Sequence, residues 1–332
     1  MDLKIAIGGA SGMLGSHLTA ALVDRGDEVV GLVRRPPTSE SERQWDPRAG
    51  TISEPGLTDV DAVVNLAGAP IAGSRWSAEY KREILSSRIL STRTVVQALA
   101  DAREEGSDRC KTFLSASAVG IYGFDCGDRL LPEDAPAGTG FLAGVCGAWE
   151  DEALPASDLG VRVVRLRTAN VLSPRGGFLG ALRPLFKLGV AGRIGDGRQW
   201  LSWIHIDDHV AAMVALLDGE VSGPVNLTAP NPVRNVAFTK EYGRVLGRPT
   251  FIQFPSPLAR IALTPNMVDE TVAAGQRAVP EALARSGYKF SYPVLGQALR
   301  NLESQREETS RKRKKATSRK LTKGKRGKQP KA

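Results

Sequence analysis

Residues 3–33 read LKIAIGGASGMLGSHLTAALVDRGDEVVGLV, and the glycines in this stretch decide the fold. Leu3 to Gly8 is a short apolar run of strand type, His17 to Arg25 has helical periodicity, and Glu28 to Val33 is again a strand. Gly9, Gly12 and Gly15 stand between the first strand and the helix in G-x-x-G-x-x-G spacing. One glycine permits a tight turn, one lets backbone approach a pyrophosphate, and one lets helix pack closely on strand. The helix amino end then offers free N–H groups and a positive dipole to phosphate oxygens. The expected phosphate cradle is therefore Gly9, Ser11, Gly12, Met13, Leu14 and Gly15.

The second strand runs into Val33-Arg34-Arg35. A protein that reads a plain ribose 2′-hydroxyl carries Asp or Glu at this point, whereas guanidiniums pair bidentately with a 2′-phosphate. Arg34 and Arg35 thus point to NADP(H) over NAD(H), the bland alternative being a solvated arginine pair at a strand end. Further along, strands at 61–66, 113–116 and 161–166 alternate with helices at Ala78 to Glu104 and Phe141 to Ala156. That alternation predicts an α/β protein with a Rossmann-type, doubly wound parallel sheet.

Beyond Arg167 the rhythm breaks, with glycine-rich turns at 175–177 and 192–197, a helix at Asp207 to Leu217, a strand in PVNLT, a helix at Asn235 to Leu246, and short helices divided by Pro255, Pro257, Pro265 and Pro280. The expected division is a dinucleotide-binding domain over 1–222, with the loop region 171–204 contributing to a substrate lobe, and a smaller, mostly helical lobe over 223–302. A lobe added after such a sheet is placed to cover the crevice at the strands' carboxyl ends. Residues 303–332 hold 13 Lys or Arg against 3 Glu, a surplus of ten that leaves the other 302 residues at minus one of the total +9. With almost no apolar residues to bury, this tail is expected to be disordered and to bind polyanions without sequence preference.

No apolar run approaches the roughly 20 residues that span a bilayer, and the first strand starts at Leu3, so a cytoplasmic protein is expected. Cys110, Cys126 and Cys146 are odd in number and lack CxxC spacing, which indicates neither a disulfide framework nor a metal site. Monomer and homodimer both remain open.

Separated motifs carry a resemblance: Asn65-Leu66-Ala67-Gly68, KREILSSR ending at Arg88, SASAVGIYG at 115–123, WE at 149–150, RQWLSWIHIDD at 198–208 and NLTAPNPV at 226–233. Over residues 3 to about 302 the chain resembles the atypical "epimerase family protein" group of the extended short-chain dehydrogenase/reductase superfamily. The resemblance implies NADP(H) contacts around Arg34, Leu66, Ala67, Gly68, Glu83 and Arg88, and a C-terminal lobe of unknown role.

That superfamily's proton relay is a Tyr followed four residues later by Lys, which lowers the phenol pKa while hydride moves at nicotinamide. Here Leu142 and Cys146 fall at the two positions, and no tyrosine of the chain is followed by lysine at that spacing. Ser117, which resembles the superfamily's substrate-orienting serine, and Tyr122 are the remaining catalytic candidates. Against this stands a structural reading, a hydroxyl at a strand end and a tyrosine packed under the cofactor. Leu201 replaces the arginine that sugar-nucleotide enzymes carry before the strand-to-helix junction, with Arg198 in a different register. Trp200, Trp203 and Phe178 fit either a flat apolar ligand or the core, while His205 and His209 are expected to be structural, with Asp207 or Asp208 capping the next helix. Three functions follow: an oxidoreductase or epimerase of unorthodox chemistry, a non-catalytic NADP(H)-binding sensor or scaffold, or a nucleic-acid or anionic-surface binder acting through the basic tail on a vestigial enzyme.

Overall fold

The computed structural model describes residues 2–174, 176–254, 270–271 and 274–326. Arg175 and the segment 255–269, where the sequence predicts short helices, lie outside the described residues.

Seven strands pair in parallel: β1 (Lys4–Gly8), β2 (Glu28–Val33), β3 (Glu42–Asp46), β5 (Ala62–Asn65), β6 (Thr112–Ala118), β8 (Arg162–Thr168) and β13 (Gly223–Leu227). Their order across the sheet is β13-β8-β6-β5-β1-β2-β3, and β4 (Thr51–Ile52) closes the β3 edge antiparallel. The chain builds outward from β1 to β3, then returns to lay β5 on the other side of β1. The order therefore reverses between Gly8 and Asn65, which are register partners at the carboxyl ends of β1 and β5. Open α/β sheets bind ligands at such a switch point.

Alternation along the strands sorts the core. Ile5 and Ile7 join the cluster containing Leu18 and Leu22 of α1 (Met13–Arg25), while Ala6 joins Val95 and Leu99 of α2 (Ala78–Glu104) on the opposite face. Helix α1 begins at Met13, earlier than the periodicity indicates, because the glycine turn opens directly into it. Gly26 ends it at φ 99°, a left-handed conformation that glycine adopts without steric cost. Helix α3 (Phe141–Asp151) stops short of the expected Ala156, giving way to a 3₁₀ turn at Leu154–Leu159.

The C-terminal lobe holds α4 (Gly177–Lys187), α6 (Asn235–Leu246), α7 (Glu281–Arg285) and the start of α8 (Leu295–Arg326). Two-stranded ribbons tie it to the sheet domain: β7 (Asp125–Leu131) with β16 (Gly275–Ala278), β9 (Asn170–Ser173) with β12 (Trp203–His205), β10 (Gly192–Ile194) with β15 (Ile252–Phe254), and β11 (Trp200–Leu201) with β14 (Val233–Arg234). Its core is continuous with that of α1 and α5 (Ile206–Asp218), running through Phe238, Tyr242, Leu299 and Leu302. Trp203 is fully buried and Phe178 packs edge-on against Phe238, so both belong to this core.

Two boundaries differ from the sequence reading. The strand at 223–227 is the edge of the main sheet, paired with β8, so the first domain extends past 222. The tail also does not begin as disorder at 303, because α8 runs unbroken to Arg326. Leu302 is buried, Glu303 accepts from Arg183 at 2.7 Å and from the Tyr242 hydroxyl at 3.0 Å, and Arg306 donates to the Pro174 carbonyl at 2.8 Å. These contacts offset the ordering entropy of the helix start, and Lys, Arg, Glu and Gln continue it by intrinsic propensity. No described helix is long and apolar enough to cross a membrane.

Phe238→Ala removes a fully buried ring at the junction of lobe and sheet domain, and should cost about 3–5 kcal/mol in urea unfolding. Because the cluster is continuous, a single shifted transition is expected in place of two.

Candidate functional site

The switch-point crevice starts at the glycine turn. A Cβ on Gly15 would lie 2.2 Å from the Gly9 carbonyl oxygen, and one on Gly9, whose φ is +80°, would lie 3.0 Å from the Leu66 backbone. Both positions therefore require glycine, Gly15 by contact and Gly9 by conformation as well. Gly12 caps α1 with no side-chain bond and no acid follows in the first turn, so the helix amino end is left for an anion. Ser11, Met13 and Leu14 surround this end, and the Met13 thioether reaches Gly177 at the root of α4.

The opposite wall is Leu66-Ala67-Gly68. Its backbone is fixed by groups of the quoted motifs to which the sequence analysis gave no role. Asn65, fully buried, accepts from the Ala67 N–H at 3.1 Å and donates to Ser91 and Thr92 of α2 at 3.3 and 3.2 Å. The Ala69 N–H donates to the Ser87 hydroxyl at 3.0 Å. The serines in KREILSSR and its continuation were the available signal.

Arg88 lies against Gly68, where a Cβ would come within 3.2 Å of its guanidinium carbon. Its side chain is buried, donates to the Ile84 carbonyl at 2.8 Å and sits 4.9 Å above the Trp149 ring, without an acidic partner among the described residues. Burial lowers its pKa, so the site holds a buried cation with no countercharge.

The two arginines after β2 separate. Arg35 is bound by Glu42 at 2.8 and 2.5 Å, and its guanidinium, with the Thr38 amide and hydroxyl, holds the Glu42 carboxyl down to about 2. Arg34 is exposed and makes no ion pair among the described residues. Glu83, on α2 one turn before Arg88, is met by Arg48 at 3.4 Å from the β3–β4 turn. These residues fit a dinucleotide: a cradle that side chains would fill, an uncapped helix start, and two cations lacking carboxylates.

At the other end of the crevice the structure brings Ser117 and Tyr122 into one buried polar network. Ser117 donates to Glu150 at 2.7 Å, and Arg167 grips the same carboxylate at 2.8 and 3.0 Å. Arg167 also donates to the Tyr122 oxygen at 3.1 Å, and the Tyr122 hydroxyl donates to Asn226 at 2.7 Å. Burial raises the Tyr122 pKa, so the phenol keeps its proton. Leu142 and Cys146 face the turn after β6, with Gly120 within 3.5 and 3.7 Å of them if it carried a Cβ, and burial pushes the Cys146 thiol up to about 12.

His205, not Asp207 or Asp208, caps α5: its Nδ1 accepts from the Asp207 N–H at 3.0 Å while the ring stacks on Tyr292 at 3.9 Å. Asp208 instead accepts from the Ser291 and Tyr292 amides, fastening the segment before α8. Trp200 donates to Asp128 at 2.8 Å and lies near the guanidiniums of Arg234 and Arg277. No group of metal-ligating side chains forms among the described residues.

Fold and site together define a dinucleotide-binding protein of the extended dehydrogenase type with an added C-terminal lobe. The chain belongs to the NAD dependent epimerase/dehydratase family, whose model matches residues 5–228, and residues 254–302 match a domain of unknown function, DUF1731. Epimerase family protein Mb2239 of Mycobacterium bovis is 46% identical over 296 residues, 89% of this chain and 96% of that protein. Epimerase family protein YfhF of Bacillus subtilis is 36% identical over 311 residues, covering 92% and 99% of the two chains. The crystal structure of human epimerase family protein SDR39U1 (isoform 2) with NADPH superposes with a TM-score of 0.82 at 31% identity, over 90% of this chain and 99% of that one.

His209 is buried on α5 beside Thr168, and burial alone lowers its pKa to about 3. Unfolded, it takes a proton near pH 6.5, so the stability its neutral form contributes is complete above that pH and is lost as pH falls toward 3. His209→Gln should flatten this acid limb by up to about 1.4 kcal/mol per pH unit, measured as urea stability between pH 6.5 and 4.

Proposed function

We propose that this chain binds NADP(H) and acts as a reductase of small conjugated acceptors, without a side-chain proton relay. The observation that carries the cofactor reading is the division of labour among arginines: Arg35 is committed to Glu42, while Arg34 and the buried Arg88 have no acidic partner among the described residues. The NADPH present in the human relative's structure supports the same choice.

When bound, NADPH supplies a hydride. Removing a proton from an alcohol needs a base, and at the relay positions this chain has Leu142 and a Cys146 thiol held near 12. That weighs against oxidising a sugar hydroxyl as an epimerase must. Reducing a quinone or enone leaves a delocalised anion that takes its proton from water, so no side-chain base is required. The locked hydroxyls of Ser117 and Tyr122 also favour a second reading, a non-catalytic NADP(H)-responsive sensor.

In a fluorescence titration NADPH should bind more tightly than NADH. Arg34→Ala should weaken NADPH by roughly 10- to 150-fold and Arg35→Ala by less than about threefold. Equal loss in both variants would reject the division between the arginines. Turnover is then read as NADPH consumption with quinones, enones and sugar nucleotides. Consumption with the conjugated acceptors alone is expected, and none with any acceptor would leave the sensor reading.

A further inference from the structure

The distal half of α8, residues 311–326, holds ten Lys or Arg and no Asp or Glu. At about 1.5 Å per residue it is about 24 Å long, one positive charge per roughly 2.4 Å. A nucleic-acid duplex carries one negative charge per about 1.7 Å of its axis. The proximal half of the helix is balanced by contrast, with Glu303 bound to Arg183 and Glu307 3.8 Å from Arg311. Past that point Arg311, Lys315, Arg319 and Lys323 follow one another at i, i+4, a spacing at which like charges repel and destabilise a helix. A helix of this kind lacks its counterion.

From this we infer that α8 is a cationic helical arm that docks this protein on the phosphate backbone of double-stranded nucleic acid, independently of its cofactor. Turning about 100° per residue, eight of the ten cations fall within about one half of the helix circumference, with only Arg313 and Lys320 opposite. The sequence pattern thus gathers most of the positive charge along one side of the helix. The arm is anchored at its root, where Leu302, Glu303 and Arg306 are fastened to the lobe and to Pro174. An anionic membrane fits less well, because Ala316 and Leu321 are the only aliphatic residues of the segment and cannot form an apolar face to immerse. A single strand fits less well too, since residues 311–332 contain no aromatic side chain on which bases could stack. Recognition through Lys and Arg alone is blind to sequence.

The test is fluorescence anisotropy of the full chain with a labelled 20-base-pair duplex between 50 and 200 mM salt. Eight phosphate contacts predict a log–log slope of about −7 and an affinity that falls roughly 10⁴-fold over this range. Changing Arg311, Lys315, Arg319 and Arg326 to Gln together should make the slope shallower by about three to four, whereas Arg313→Gln with Lys320→Gln should change it by less than about one. Unchanged thermal unfolding of both variants shows that the fold is intact. Absence of duplex binding at 50 mM salt, or binding that survives the fourfold substitution, overturns the proposal. So does tighter binding to single-stranded DNA, to phosphatidylglycerol vesicles or to polyglutamate. Equal slope changes per residue in the two variants overturn the one-faced arm.

Discussion

The carboxylate of Glu150 is buried on α3, and a charge there has to be compensated in place. Ser117 from β6 and Arg165 and Arg167 from β8 supply that compensation, which fixes the helix against two central strands at once. Burial works against the Arg167 charge, yet the adjoining Glu150 raises its pKa overall, so the guanidinium stays charged. Arg167 then passes the constraint onward to Tyr122 and to the Glu133 carbonyl, and Asn226 carries it to the carbonyls of Leu131 and Val279. Sheet, helix and lobe therefore meet at one polar knot. Its other consequence is chemical, since the two hydroxyls nearest the expected reaction centre are consumed in holding it together.

The opposite end of the crevice shows the converse. There the backbone turn is held as tightly, by Asn65 and by glycines with no room for a Cβ, but the charges are left uncompensated. Among the described residues Arg88 is a cation taken out of water without an acid to meet it, and the amino end of α1 has no side-chain cap. A protein tolerates such desolvation where a ligand completes the site. One end of the crevice is thus built to receive an anion and the other is closed upon itself.

Most of the sheet was legible in advance because buried parallel strands and an amphipathic helix such as α2 write their periodicity into the sequence. What escaped were the short ribbons. Glu42–Asp46 and Thr51–Ile52 form a local hairpin whose mostly polar residues carry no strand signature, and Asp125–Leu131 with Gly275–Ala278 exists because distant segments pair. The strand at 223–227 was visible, but its place at the sheet edge beside β8 was not. The helical tail was missed for a related reason: composition reports that residues past 303 cannot bury themselves, and says nothing of the Arg183 and Tyr242 side chains that anchor Glu303.

The sequence by itself determined the doubly wound class, the glycine cradle, the arginines after β2 and the absence of a Tyr-x-x-x-Lys pair, because each depends on residue type at local spacing. Only the tertiary structure decided which arginine is free, since Arg34 and Arg35 are chemically alike and differ solely in the reach of Glu42 from the neighbouring strand. It alone showed Ser117 and Tyr122 spent on Glu150 and Asn226, residues 33 and 104 positions away. A side chain's chemistry is local, but its availability depends on which other groups the fold places within hydrogen-bonding distance.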